Sequence, residues 1–148
     1  MSNAKNIDLL DAIPGEALAD QYSPRTRTVA AQFAHMHNVR VSHLERRGPK
    51  AAGGLKSFAR GAQPTKAELR AALDASEDAI AGLLEECART GRVKGWNGTP
   101  TTYLGYFIAH EAHHRGLALV ALRMSGTRLP KSVTYGIWYW RKKVKDAR

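Results

Sequence analysis

The residues best equipped for chemistry are in the run His110-Glu111-Ala112-His113-His114-Arg115-Gly116, which holds three of the chain's six histidines. Histidines four apart on a helix lie about 40° apart around its axis, so His110 and His114 point the same way, one turn above the other. Two imidazoles placed so are spaced as metal ligands. The run also satisfies H-E-x-x-H, in which Glu111 would be the general base of a zinc protease. That chemistry needs a third ligand further along the chain, and after His114 there is no histidine and only one acidic residue, Asp146. The protease reading is therefore set aside. Glu111, about 100° off the ligand direction, is left to orient a ligand or face solvent.

The third ligand must then come from upstream, where His35, His37 and His43 share one segment. Three neutral imidazoles with a vacant position make an open site of the catalytic type, suited to zinc or nickel. His35 and His37 point about 160° apart on a helix, so only one of them can face the same ion. Periodicity places His37 nearer Phe33 and Leu44, whereas Ala31 and Val39 extend a buried face towards His35. Spacing alone leaves both His35 and His37 open.

Helices must position these residues. Thr99 and Pro100 form an N-cap and first-turn proline, opening a helix that runs to Met124, with Ser125 and Gly126 as its stop. Ser23 and Pro24 give the same signal for a helix reaching Arg47, where Gly48 and Pro49 end it. Residues 48–64 read as a connector with a short turn at 55–58. Thr65-Lys66-Ala67-Glu68 is a capping box that begins a helix to Gly91, its charged residues, Glu77 among them, forming a solvated face. Residues 6–13 form a short first helix, closed by Pro14 and Gly15. The aromatic stretch 133–140 is assigned as helix, since the rest of the chain is helical. Trp96, in the loop before the His110 helix, either covers a pocket mouth or plugs the bundle end.

With 148 residues, the chain is expected to be a single domain, 1–148, able to bury a core without disulfides. Its one cysteine, Cys87, rules out an intramolecular disulfide and a cysteine-based metal site. No apolar run approaches the ~18 residues of a membrane span, and no secretory signal pattern is present, so a soluble, cytoplasmic protein is expected. The net charge of +10 is spread along the chain apart from Arg141, Lys142, Lys143 and Lys145. That distribution indicates a solvated surface, and nucleic acid is an unlikely partner because no recognised motif accompanies the charge.

The segment from Thr28 to Arg40 with Leu44, together with Tyr106 to Gly116, resembles the DinB superfamily of metalloenzymes. The similarity extends from the second helix to the Gly136 to Trp140 end. It implies an all-α, four-helix bundle, with a short first helix and a C-terminal helical extension in this chain. It also implies a divalent metal on His35, His110 and His114, and a homodimer. The chain departs from the pattern at His43, where tryptophan is common, and at Leu117, where glutamine is frequent. His113 is assigned to the surface or to the surroundings of the ligands, and Arg115 to packing or carboxylate pairing.

The function expected from this resemblance is metal-dependent activation of water or a low-molecular-weight thiol, in a hydrolase or a thiol S-transferase acting on a small molecule. Trp96, Tyr103, Tyr106 and Arg40 are candidate pocket residues. The alternative is a non-enzymatic, stress-related binding or structural protein with a vestigial metal site.

Overall fold

The protein is represented by a computed structural model that describes residues 2–138. Six α-helices occur there: α1 (Ser2–Ala12), α2 (Val29–Arg47), α3 (Pro49–Ala52), α4 (Lys66–Thr90), α5 (Pro100–Met124) and α6 (Lys131–Thr134). Helices α1, α2, α4 and α5 form the bundle, with α2 packed against both α4 and α5, and α1 closing against α4 and α5. Among the described residues there is no strand. No helix there is long and apolar enough to cross a membrane.

Local signals account for most helix ends. Thr65 accepts from the Glu68 backbone N–H while the Glu68 carboxylate accepts from Thr65 N–H, completing the capping box of α4. Gly91 ends that helix at φ 68°, a left-handed conformation that costs glycine little. Thr99 caps α5, with Pro100 in its first turn.

Three expectations are corrected. Helix α2 begins at Val29 and not at the Ser23 and Pro24 signal, because Pro24 instead occupies the second position of a turn closed by Thr26 N–H donating to Ser23 O at 2.9 Å. Thr28 is the actual cap, its hydroxyl accepting from Ala31 N–H at 3.2 Å. In the 48–64 connector the helical turn is α3, started by Pro49, while 55–58 is irregular. The first helix is longer than expected, beginning at Ser2, and it buries Ile7, Leu9 and Leu10. The C-terminal extension is α6 followed by a 3-10 turn, Gly136–Trp138; Tyr139, Trp140 and the basic residues 141–145 lie outside the described residues.

The core falls into two apolar clusters. One gathers Leu9, Leu10, Ile13, Phe33, Met36, Leu69, Leu73, Ala118 and Leu122. The other holds Leu44, Ile80, Leu83, Cys87, Tyr103 and Phe107. Between them, midway along α2, α4 and α5, lies a belt of buried polar side chains: His37 and Arg40, Ser76, then Glu111 and His114. Buried polar groups are tolerated only when they find partners, so this belt is where the fold's polar choices were made.

Candidate metal centre

Helix α5 turns His110 and His114 towards α2, and His35 meets them from that helix. The ring centroids are 4.5 Å apart for His110 and His114, 4.6 Å for His35 and His114, and 5.3 Å for His35 and His110. One nitrogen from each ring lies within 4.8 Å of the other two. That separation is comparable to the span of two metal–imidazole bonds of ~2.0–2.1 Å each. His114 is buried, and His35 and His110 are half-buried.

Hydrogen bonding fits the rings to a cation. His114 Nδ1–H donates to Gln32 Oε1 at 2.7 Å, which fixes the tautomer and leaves Nε2 with its lone pair free. His110 Nδ1 is buried and has no hydrogen-bond partner among the described residues. Burial lowers the pKa of His35 to about 4, reinforced by the Arg27 and His110 charges. Burial likewise brings His114 to about 3, with His110 and His35 adding to the effect, and lowers His110. At neutral pH all three rings are therefore uncharged, the form that ligates metal.

An aromatic wall stands on the His110 side. Tyr106 stacks on His110 at 5.7 Å and on His43 at 5.0 Å. Trp96 packs against Tyr103, Tyr106 and His43, with the Arg47 guanidinium over the Trp96 ring at 5.6 Å. His43 Nδ1 and the Tyr103 hydroxyl are 3.1 Å apart. Burial pushes the Tyr103 phenol up to about 12 and lowers His43 to about 4, the latter with help from Arg47 and Arg46. Tyr103 is fully buried, so it supports this wall from behind and does not line a pocket.

The remaining sequence candidates go elsewhere. His37 lies on the α4 side of α2, its Nδ1 2.9 Å from Ala72 O and its Nε2 3.0 Å from Lys56 O. Neither nitrogen is left for the centre, so His37 is not the partner of His110 and His114. Arg40 is not a pocket residue: it is fully buried, with Nε donating to Glu111 Oε1 at 2.8 Å and Nη1 to Leu73 O at 2.8 Å. Glu111 does not face solvent, because Arg40 holds one oxygen and Asn6 Nδ2 donates to the other at 2.8 Å. Glu77, assigned to a solvated face, pairs with Arg40 at 3.2 Å. Arg115 lies 4.0 Å from Glu111 and donates to Asn6 Oδ1 at 2.6 Å, in keeping with carboxylate pairing. His113 is exposed, its ring beside His114 at 5.1 Å.

Gln32 and Arg27 were missed from sequence. Gln32 did carry a signal, being an amide one turn before His35 on the same side of α2. Arg27 carried none beyond charge.

A comparison with curated proteins found no match. The family model described as DinB family matches residues 1–143. The helical bundle, the histidine pair on α5 and the histidine facing it from α2 thus accompany a match over nearly all of the sequence, and the chain belongs to the DinB family.

Proposed function

We propose that His35, His110 and His114 hold one divalent cation, zinc or nickel, and that the protein is a metal-dependent enzyme activating water or a low-molecular-weight thiol. The observation that carries this reading is the convergence of three uncharged imidazoles, one with a buried nitrogen lacking a partner. A divalent ion on three neutral ligands keeps its full charge and supplies Lewis acidity that makes a thiol or water acidic at neutral pH. The chain's own residues do the rest. Gln32 orients His114, Tyr106 packs over one face of His110, and Trp96 with His43 shields the aromatic side from water. Arg27 adds positive charge near the rings, which favours an anionic nucleophile over a neutral one.

The proposal includes a homodimer in the cytoplasm. Its support is apolar surface left exposed on α5, with Leu104 and Ile108 on one side and Val120 and Met124 about 160° round the helix from them.

Metal content by mass spectrometry, on protein purified without chelator and then supplemented with zinc or nickel, tests the reading. About one ion per chain is expected, lost in His114→Ala. A screen pairing low-molecular-weight thiols with electrophiles, and a parallel screen of hydrolysable esters and amides, then assigns the reaction. A protein that takes up no metal and shows no change in melting temperature on supplementation would sink the proposal, and would favour a non-enzymatic, stress-related role with vestigial ligands.

A further inference from the structure

Beside His35 the surface opens into a groove of about 930 Å³, and its charged wall is one-sided. Arg25, Arg27 and Arg60 line it, and no Asp or Glu does. Some arginines elsewhere in the described residues pair with carboxylates, Arg40 with Glu111 and Glu77, Arg70 with Asp11, Arg89 with Glu86, and others such as Arg46 and Arg47 do not. Among the described residues, none of the three groove arginines forms such a pair. They come from two separate segments, the 20–28 connector and the 53–64 connector, which the fold brings to one concavity.

The wall is held in shape before any ligand arrives. Asn38 on α2 donates to Phe58 O at 2.9 Å and accepts from Phe58 N–H at 2.8 Å, clamping the second connector against the helix. Gln32, the residue that orients His114, and His35 itself form the inner end. Phe58 and Leu117 supply apolar surface between. Three guanidiniums around one groove give it a positive wall, and an oxyanion there can accept charge-assisted, bidentate hydrogen bonds. His35 lines the groove and also meets His110 and His114, so the arginine end and the histidine cluster share one residue.

We infer that this groove binds an anionic small molecule, its carboxylate or phosphate held by Arg27 with Arg25 and Arg60, its apolar body on Phe58 and Leu117, and its far end at His35. The far end as the reacting end rests on the metal-centre proposal. The anion site does not.

Calorimetric titration with succinate and with inorganic phosphate separates carboxylate from phosphate recognition, on wild type, Arg27→Ala, Arg60→Ala and a distant control, Arg123→Ala. Binding by wild type is expected to weaken about tenfold or more in Arg27→Ala and several-fold in Arg60→Ala, and by less than about twofold in the control. All of these positions are exposed, and unchanged melting curves would establish that the variants are folded. Equal weakening in Arg123→Ala would overturn the inference, since attraction to the protein's overall charge would then explain it. So would binding that survives both groove substitutions, or the absence of binding to wild type. Nickel titration of the same proteins keeps the two ideas apart. Arg27→Ala is expected to bind nickel like wild type, and anion binding without nickel uptake would remove the metal proposal while leaving the groove assigned.

Discussion

Two buried polar groups share α2 and α5, and they follow opposite rules. In the first, Arg40 reaches Glu111, Glu77, Asn3 and Leu73 O, and Glu111 in turn receives Asn6. Opposite charges meet with hydrogen bonds on both sides, and four elements of structure are tied by one guanidinium. In the second, His35, His110 and His114 face one another, and burial lowers the readiness of each to take a proton, with His110 adding to the effect on His35, and His110 and His35 adding to that on His114. Glu111 follows His110 directly, yet about 100° of helical rotation delivers it to the first group and not the second. The saturated group holds the bundle together, and the unsaturated one is poised to bind something that is not protein.

The sharpest way to break this contrast is to disturb the saturated group. Arg40→Ala strips the buried Glu111 of its nearest cation, leaving it Asn6 and the more distant Arg115, and is expected to lower stability by about 3–5 kcal/mol, read by urea unfolding. Replacing both partners, Arg40→Met with Glu111→Leu, should cost less than the sum of the two single changes. An Arg40→Ala protein as stable as wild type would mean that the pair is not structural at all.

In the unsaturated group the expected pattern reverses. His114→Ala should weaken nickel or zinc binding by on the order of 100-fold or more, yet cost metal-free protein only about 1–3 kcal/mol, mainly from the partner lost to Gln32, and so less than Arg40→Ala. A large loss of stability without metal would place these histidines with the Arg40 network, as structural residues. Gln32→Ala tests the same division one bond further out. It removes only the acceptor that orients His114, so metal affinity is expected to fall about 10- to 100-fold. Affinity equal to wild type would show that the Gln32 contact does not position the ring.

The pair on α5 was legible because it needs only a helix and a four-residue spacing, and both ends of that helix carry strong local signals at Thr99, Pro100 and Gly126. His35 against His37 was harder for a physical reason. Helix α2 is buried against α4 on one side and α5 on the other, so its apolar residues run round much of its circumference and no single stripe marks the ligand side. Arg40 and Glu111 are 71 positions apart, and nothing local distinguishes a buried arginine from a solvated one. The three groove arginines were hidden likewise, since only the fold shows that two connectors converge. At Ser23 and Pro24 the same dipeptide serves a helix start and a turn, and the turn won because Thr28 offered a better cap next to the core.

The last expected effect concerns protons, and it sharpens the comparison because the two groups should respond differently to acid. His43, beside the aromatic wall, has its pKa lowered from 6.5 to about 4 by burial and by Arg47 and Arg46, and the three clustered histidines are lowered too. Between those values the unfolded chain binds protons that the folded chain refuses, so stability falls as pH drops from about 6.5 towards 4. Urea midpoints of metal-free protein should therefore decline gradually through that window. His43→Phe should flatten the decline by removing one proton from the difference, whatever it does to stability at pH 7. Bound metal should steepen the decline, because acid must then displace the ion from rings it would otherwise only protonate. A midpoint that stays level from pH 7 to pH 5 would mean that the histidines accept protons freely in the folded protein. The three imidazoles would then lack the enforced neutrality on which their difference from the Arg40 network depends.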